Sequence, residues 1–351
     1  MQRWQASRLA LPIGLALSVA LGLPLTGCKP KISGDMPICS AEVAGGAAAE
    51  STVQELPANI WYSIMLQGFD RDRMLAGDDP KDCTGRSTLT PTPPPFAEGV
   101  KPPEDDQPDV VAGCTIGGSE DDRLPARPLT EDDILINEGP DGTSLVWVKA
   151  THYKSGEAIG PVALVQWTPA GIAVRALGSL RAQTNKARMR IEVSGSQRIL
   201  VVEGDECNVE ESKLCKRIMR LLPIIDGRFA TVPLKLAPED IKAGADACLG
   251  DAAFALFEHY TSNLPDGWIR RFEIVRSVTF DTGAPLIAEQ VVIKDKDPDQ
   301  PEAPPQDFRQ ASSDRTLVYK DRYFETRGSL WEQMIQNYGS VAHDARVAED
   351  D

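Results

Sequence analysis

Six of the seven cysteines of this chain, all but Cys28, are the residues whose type and number most directly indicate chemistry. An even number of cysteines indicates structural disulfide bridges. No Cys-x-x-Cys pair occurs, so neither a thioredoxin-like redox centre nor a zinc ribbon is indicated. We therefore expect three bridges among the cysteines other than Cys28, which are Cys39, Cys83, Cys114, Cys207, Cys215 and Cys248.

Local context suggests how these cysteines pair. Cys207 and Cys215 flank the polar segment NVEESKL between two apolar runs, so a bridge there would join the two ends of a hairpin connection. Cys83 and Cys114 flank a segment with seven prolines that cannot form a core of its own. Closing that loop of about 30 residues would stabilise the fold by on the order of 3 kcal/mol. By elimination, we expect Cys39 to pair with Cys248.

An acidic run near the C-terminal end could offer oxygen ligands to calcium. Asp295, Asp297 and Asp299 form an Asp-x-Asp-x-Asp pattern. As an EF-hand loop the pattern fails, because its sixth position is Gln300 and its twelfth is Gln306. We expect a solvated loop with no metal, and these three carboxylates remain the calcium candidate.

Catalytic motifs are absent from the sequence. It contains no His-Glu-x-x-His, Gly-x-Ser-x-Gly, Ser-x-x-Lys, phosphate-binding loop or dinucleotide fingerprint. Acidic residues such as Glu203, Asp205 and Glu206 could support glycoside hydrolysis, but a chain this acidic contains such groups by chance. The sequence favours a non-enzymatic protein without a cofactor, and a hydrolase with an unrecognised carboxylate site is the alternative.

The N-terminal segment has the layout of an export signal. Two arginines, Arg3 and Arg8, precede the apolar run LALPIGLALSVALGLPLTG, which ends at Cys28. The residues Leu25-Thr26-Gly27-Cys28 resemble the lipobox of bacterial lipoproteins. That resemblance implies cleavage after residue 27 by signal peptidase II, a diacylglyceryl thioether on the Cys28 sulfur and an acyl chain such as palmitate on its amine.

The same resemblance implies an address. Residue 29 is Lys rather than the Asp that retains many such lipoproteins in the inner membrane, so an outer-membrane anchor is expected. Two or three acyl chains would make attachment to membrane lipid essentially permanent. The expected partners are then membrane lipid, through the anchor, and an envelope protein or polysaccharide.

Overall charge bears on the partner class. The chain carries 37 basic and 52 acidic residues, a formal net charge of −15. Binding to nucleic acid requires a basic face, and no basic cluster occurs in the sequence. Nucleic acid is therefore excluded as an expected partner.

Composition divides the chain into four segments. Residues 1–27 form the signal peptide, 28–58 a lipidated N-terminus and flexible tether, 59–339 a disulfide-stabilised β-rich domain with a proline-rich loop at 84–113, and 340–351 a polar tail. We expect the domain to begin with a strand in IWYSIMLQGFD.

Short alternating runs separated by Gly, Pro and Asp turns predict the fold class. In ARMRIEV, for example, Met189, Ile191 and Val193 fall on one face, and Arg188, Arg190 and Glu192 fall on the other. The prediction is a mainly β protein, an antiparallel meander-rich sandwich or partly open barrel, with a β-propeller-like arrangement as the alternative. One or two short helices are expected, at residues 237–249 and 329–339. The barrel form would allow a third function, carriage of a lipid or apolar ligand.

Overall fold

Strands with alternating apolar and polar residues make up most of the protein. The computed structural model describes residues 36–42, 56–96, 99, 110–118, 122–169, 171–207, 215–242, 245–280 and 283–343, which belong to one compact unit. The first elements are short: β1 Cys39–Ala41, α1 Ala58–Met65, β2 Leu66–Gln67, β3 Lys81–Asp82, β4 Val110–Val111 and β5 Cys114–Thr115. Strands β2 and β3 form one antiparallel pair, and β4 and β5 form another.

A first antiparallel meander follows. Its strands are β6 Ile134–Glu138, β7 Thr143–Val148, β8 Thr151–His152, β9 Glu157–Thr168 and β10 Gly171–Gln183. They pair in the order β6-β7-β9-β10, with β8 added to β9. The N-terminal strand β1 pairs with β10, where Cys39 lies opposite Val174.

A second meander is longer and is interrupted by an insertion. Before the insertion come β11 Asn185–Ser194, β12 Gln197–Glu206 and β13 Lys216–Ile225. The insertion contains the short strands β14 Arg228–Phe229, β15 Pro233–Leu236 and β16 Cys248–Asp251. After it come β17 Ala253–Asn263, β18 Ile269–Thr279, β19 Leu286–Lys296 and β20 Gln306–Thr316. The seven strands of the meander pair antiparallel in the order β11-β12-β13-β17-β18-β19-β20.

The remaining elements are β21 Val318–Lys320, β22 Tyr323–Thr326 and α2 Leu330–Tyr338. They complete a small sheet of order β16-β15-β22-β21, in which β15 and β22 run parallel. The helix α2 follows this sheet and packs against β18 and β19 through Trp331 and Met334.

Strand β14 joins the two meanders into one 14-stranded sheet, because it pairs with both β13 and β10. Strand β14 runs parallel to β10 and lies so close to it that position 178 of β10 must be a glycine. A Cβ atom there would lie 2.4 Å from the carbonyl oxygen of Phe229. This approach places Arg228 opposite Leu177 of β10.

The main core lies between the two meanders. Buried side chains of β7, β9 and β10, including Trp147, Leu164 and Leu180, pack against Met189, Leu200, Val202 and Leu222 of the second meander. The predicted mainly β fold with antiparallel meanders and short helices is thereby confirmed. The propeller-like alternative is wrong, because the strands of both meanders form a continuous sheet and no separate blades.

The first predicted strand, in residues 59–69, is a helix instead. Helix α1 buries Trp61, Tyr62, Ile64 and Met65 against the outer face of the first meander. Those residues lie three and four positions apart, the spacing of one helical face. A short run that is apolar at almost every position does not distinguish this spacing from that of a buried strand.

Of the two predicted helices, one is confirmed. Helix α2 begins after Ser329, whose hydroxyl accepts a hydrogen bond from the Trp331 amide, and it ends at Gly339. In the described residues of this segment, 237–242 and 245–249, the structure has one 3₁₀ turn, Pro238–Asp240, and then β16. Strand β16 pairs with β15, so tertiary strand pairing outweighs the weak helical signal of this segment.

The described residues contain three disulfides, and one pair, Cys207 with Cys215, is as predicted. The expected pairs Cys83–Cys114 and Cys39–Cys248 are wrong. Cys39 bonds Cys83, because pairing of β1 with β10 brings Cys39 into the cluster below α1 that also contains Cys83. Cys114 bonds Cys248 and so attaches the β4–β5 hairpin to β16.

The segment boundaries also differ from those expected. Residues 39–41, assigned to the tether, form β1 and belong to the sheet. At the other end, two residues of the expected polar tail contact the domain. The Val341 carbonyl accepts from Arg270, and the His343 ring lies 2.9 Å from Asp295 Oδ2. Leu25-Thr26-Gly27-Cys28 lies outside the described residues. Among the helices of the described chain, none is both long and apolar enough to span a membrane.

Candidate functional site

One cavity, which we call the main cavity, has a volume of about 620 Å³. Strands β9, β10 and β13 contribute one wall, the segment Leu89–Pro91 a second, and the β4–β5 hairpin with the residues after it a third. This volume is within the range of about 300–1,000 Å³ found for small-molecule sites. Its apolar lining comes from Leu89, Pro91, Ile116, Ile159 and Leu222.

Four charged side chains form a connected chain of ion pairs beside this apolar lining. Arg181 Nε lies 2.9 Å from Glu157 Oε2, and Arg220 Nη1 lies 2.6 Å from Asp251 Oδ2. Arg220 Nη2 lies 3.8 Å from the other oxygen of Glu157. The exposed fractions of the four side chains are only 13–17%. Because two guanidiniums face two carboxylates, the group is neutral overall and offers hydrogen-bonding atoms in a largely buried position.

Two further contacts extend this chain of ion pairs. The amide of Gly117, just after the β4–β5 hairpin, donates to Asp251 Oδ1 at 2.9 Å. The guanidinium of Arg181 lies 3.9 Å from the ring centroid of Tyr153, a cation–π contact. The charged residues are therefore fixed in position by the walls before any ligand enters.

The hairpin wall is held in place by three independent contacts. The Cys114–Cys248 bridge joins it to β16, Lys235 Nζ donates to the Ala112 carbonyl at 3.0 Å, and Gly117 bonds Asp251. The tight turn has Ala112 and Gly113 at positive φ. A disulfide therefore has a direct part in shaping the cavity.

The segment Thr88–Thr92 is the wall between the main cavity and a second one. This side cavity has a volume of about 420 Å³, and Arg86, Arg228 and Asp82 contribute its charged lining. The Thr92 hydroxyl accepts from the Ser179 amide at 3.0 Å, and the Thr92 carbonyl accepts from the Thr231 amide at 2.7 Å. The described part of the proline-rich loop is thus bonded to β10 and to the segment before β15.

A third cavity, of about 400 Å³, lies next to a buried carboxylate. Asp133 accepts hydrogen bonds from Arg127 and Thr130, and the ring of His152 lies 2.9 Å from its Oδ1. Burial alone would raise the pKa of Asp133, but the contacts to His152, Arg127 and Thr130 outweigh it and hold that pKa well below its ordinary value. Asp133 is therefore a fixed negative charge and a poor proton donor.

The three carboxylates of the calcium candidate, Asp295, Asp297 and Asp299, do not converge on one site. Asp295 is buried in an ion pair with Arg270, whereas Asp297 accepts from the Asp299 amide within its own turn. Among the described residues no cluster of three or more His, Cys, Asp or Glu side chains could hold a metal ion. The structure does not assemble the calcium candidate.

The carboxylates considered for hydrolysis are also engaged elsewhere. Glu203 accepts from Arg190 and Arg217, and Asp205 accepts from Arg217. Burial would raise the pKa of Glu203, but these arginines outweigh it and the net shift is downward. A general acid at neutral pH needs the opposite shift.

Sequence reasoning missed the residues of the main cavity. Arg181, Glu157, Arg220 and Asp251 come from four different strands, and no local spacing links them. The one available signal was a charged residue inside an otherwise apolar run, as Arg220 is within RIMRLLPII. Comparison of the chain with protein-family models, with curated proteins and with solved structures finds no match.

Proposed function

We propose that this chain is a lipid-anchored envelope protein that binds another envelope component without catalysing its conversion. The main cavity is the observation that carries this proposal. It combines apolar walls with a neutral chain of ion pairs, and the walls are held by hydrogen bonds and a disulfide. Such a preformed site favours binding, because the protein loses little conformational entropy when the ligand enters.

The polar groups of the main cavity support binding rather than chemistry. The lining carboxylate Asp251 faces Arg220, and Glu157, beside the cavity, faces Arg181. The hydroxyl of Ser179 donates to the Thr88 carbonyl and is therefore not poised as a nucleophile. Where a carboxylate pKa in the described chain shifts, at Asp133, Glu203 and Glu289, it shifts downward.

The proposed location rests on the N-terminal sequence. The lipobox-like residues Leu25 to Cys28 support acylation of Cys28, and Lys29 supports an outer-membrane address. The three disulfides are consistent with export to an oxidising compartment.

Carriage of a lipid or other apolar ligand is the second candidate. It is favoured by the aliphatic side chains Leu89, Ile116, Ile159 and Leu222 that line the main cavity. In this version of the proposal the ligand's apolar part would contact these residues, and its polar end would contact Arg181 or Arg220.

Blocking the main cavity tests both versions. Thr115 lines the cavity and is exposed, so Thr115→Trp adds bulk without disturbing the core. Val275 on β18 is 54% exposed and does not line the cavity, so Val275→Trp is the matched control. Each protein is purified from envelopes and examined by native mass spectrometry for a co-purified ligand, and is then titrated with the apolar dye N-phenyl-1-naphthylamine.

A co-purified ligand that is present in the wild type and the control but lost in Thr115→Trp supports binding in the main cavity. Dye binding that follows the same pattern supports the apolar-ligand version. Equal ligand content and equal dye binding in all three proteins would refute the assignment of the main cavity.

A further inference from the structure

The side cavity contains two arginines that come from distant parts of the chain. Arg86 follows β3 in a turn where its amide donates to Asp82 Oδ1 at 3.1 Å. Arg228 is the first residue of β14 and lies beside β10, because Gly178 allows the close approach of β14. Arg86 is exposed and Arg228 is half-buried, so one guanidinium is open to solvent and the other is partly withdrawn.

Neither guanidinium has a partner within the described part of the chain. No hydrogen bond or ion pair is formed by the side chain of Arg86 or of Arg228 there. In the main cavity, by contrast, Arg181 and Arg220 are both neutralised by carboxylates. Two unpaired guanidiniums in one cavity are unexpected in a protein with a net charge of −15.

The carboxylates nearby do not neutralise this pair. Asp82 lines the side cavity, but among the described residues it forms no ion pair with either guanidinium, and its Oδ1 accepts from the amides of Thr84 and Arg86 and from the Thr84 hydroxyl. Burial and the charge of Arg86 lower the pKa of Arg228, and the opposing effect of Asp226 does not cancel them. The two positive charges therefore lie close enough to repel each other.

Most hydroxyl protons of the cavity wall are already used. Ser87 donates to Asp79, Thr88 to the Pro80 carbonyl, and Ser179 to the Thr88 carbonyl. The guanidinium N–H groups and the hydroxyl of Thr92, which accepts from the Ser179 amide, are thus the side-chain donors left to meet a ligand. The paired N–H groups of one guanidinium match the two oxygens of a carboxylate, whereas two guanidiniums match a phosphate group, which has more oxygens to accept hydrogen bonds.

We propose that the side cavity is a binding site for a phosphate group, held between Arg86 and Arg228. The group belongs either to free inorganic phosphate or to a phosphorylated envelope molecule such as a lipid headgroup. Its negative charge replaces the mutual repulsion of the guanidiniums by two charge-assisted contacts. The site is separate from the main cavity and does not depend on the function proposed for that cavity.

The test uses the full chain with Cys28→Ala, which cannot be acylated at that position, as the parent protein. Arg86→Gln with Arg228→Gln removes both guanidiniums of the side cavity. Arg188→Gln with Arg327→Gln is the matched control, because it removes the same charge from two exposed arginines outside the side cavity. Isothermal titration calorimetry measures binding of inorganic phosphate, and sedimentation measures binding to phosphatidylglycerol vesicles and to neutral phosphatidylcholine vesicles.

We expect the parent and the control to bind phosphate, and we expect at least about tenfold weaker binding when Arg86 and Arg228 are replaced, because charged hydrogen bonds are lost. Phosphatidylglycerol binding that requires the same two arginines, with or without binding of inorganic phosphate, supports the site and identifies a lipid headgroup as its source. Equal binding by all three proteins, or no binding to any probe, would overturn the proposal.

A second variant keeps the test decisive if the double replacement does not fold. Arg86→Gln alone changes an exposed side chain and is expected to fold. Without phosphate, its melting temperature should equal or exceed that of the parent, because the repulsion of Arg228 is removed. With phosphate, the parent should gain more thermal stability than the variant, and an equal gain would contradict the proposal.

Discussion

The guanidinium of Arg270 and the carboxylate of Asp295 form a two-pronged ion pair that is closed to solvent. Arg270 Nε and Nη2 lie 2.6 and 2.5 Å from the two Asp295 oxygens. The remaining nitrogen of Arg270 donates to the carbonyls of Tyr338 and Val341, at the C-terminal end of α2. A positive charge is thus held where the helix dipole is negative.

Asp295→Asn should therefore destabilise the domain strongly. The substitution leaves Arg270 buried without its counter-charge, and loss of one partner of a buried pair costs about 3–5 kcal/mol. The free energy of unfolding in urea measures the effect. The control is Asp299→Asn in the same acidic run, which should change that free energy by less than about 0.5 kcal/mol since Asp299 is exposed. Equal effects of the two substitutions would contradict the assignment.

The opposite end of α2 should make stability sensitive to acid. Glu289 accepts from the Leu330 amide and faces Arg276 and Arg315, and their effect on its pKa outweighs burial, so that the pKa is lowered. A carboxyl whose pKa is lower in the folded than in the unfolded chain stabilises the fold above its unfolded pKa of about 4. That stability is lost as the pH falls toward the lower, folded value.

The measurement is the free energy of unfolding from pH 6 to pH 3. We expect a steady decline below about pH 4.5 and a smaller decline in Glu289→Gln, which has no carboxyl to protonate at that position. Glu302→Gln, at an exposed position, is the control and should keep the wild-type slope. A Glu289→Gln protein with an unchanged slope would show that this carboxyl does not contribute to the acid response.

The disulfides should differ in their contributions to stability. Cys114 and Cys248 are 134 positions apart, whereas Cys207 and Cys215 are 8 apart. In the chain-entropy model, loss of the first bridge costs about 5 kcal/mol and loss of the second about 2.5 kcal/mol. Paired Cys→Ser replacements and denaturant unfolding measure the difference, and peptide mapping without reduction should recover Cys39 linked to Cys83. Recovery of Cys83 linked to Cys114 would contradict the structure.

The proposed anchor predicts a lipid-modified mature protein. Intact mass of the native form should equal the chain from Cys28 plus acyl groups, and the protein should fractionate with membranes. Cys28→Ala should carry no acyl groups in the same mass measurement, because its side chain cannot form the thioether. A native protein that is soluble and carries no lipid would remove the basis for an envelope address.

The fold class was predictable from sequence because it depends on local periodicity. The alternation around Met189 indicated a strand with one buried face; Met189 is buried in the main core, whereas Val193, predicted for the same face, is 47% exposed. The residues Ser329 and Gly339 marked the limits of α2 for a similar reason, since capping is a local interaction. Helix α1 escaped prediction because an almost continuously apolar segment has no distinct period.

The functional cavities could not be predicted, because they depend on which distant segments meet. Asp251 forms its ion pair with Arg220 only after the whole sheet has positioned β13 and β16. Arg86 and Arg228 line one cavity because β14 lies beside β10. The predicted disulfide partners of Cys39 and Cys114 were wrong for the same reason. The bridge between Cys207 and Cys215 was predictable because it closes a short connection within one hairpin.

If Cys28 carries the proposed lipid, the pairing of β1 with β10 limits how far the domain can lie from a membrane. Ten residues, 29–38, separate Cys28 from Cys39, which is fixed to the sheet and bonded to Cys83. Even fully extended, that stretch of chain spans at most about 40 Å. A lipid on Cys28 would therefore keep the sheet within one domain's diameter of the bilayer surface, and an envelope component beyond that distance would have to approach the membrane to be bound.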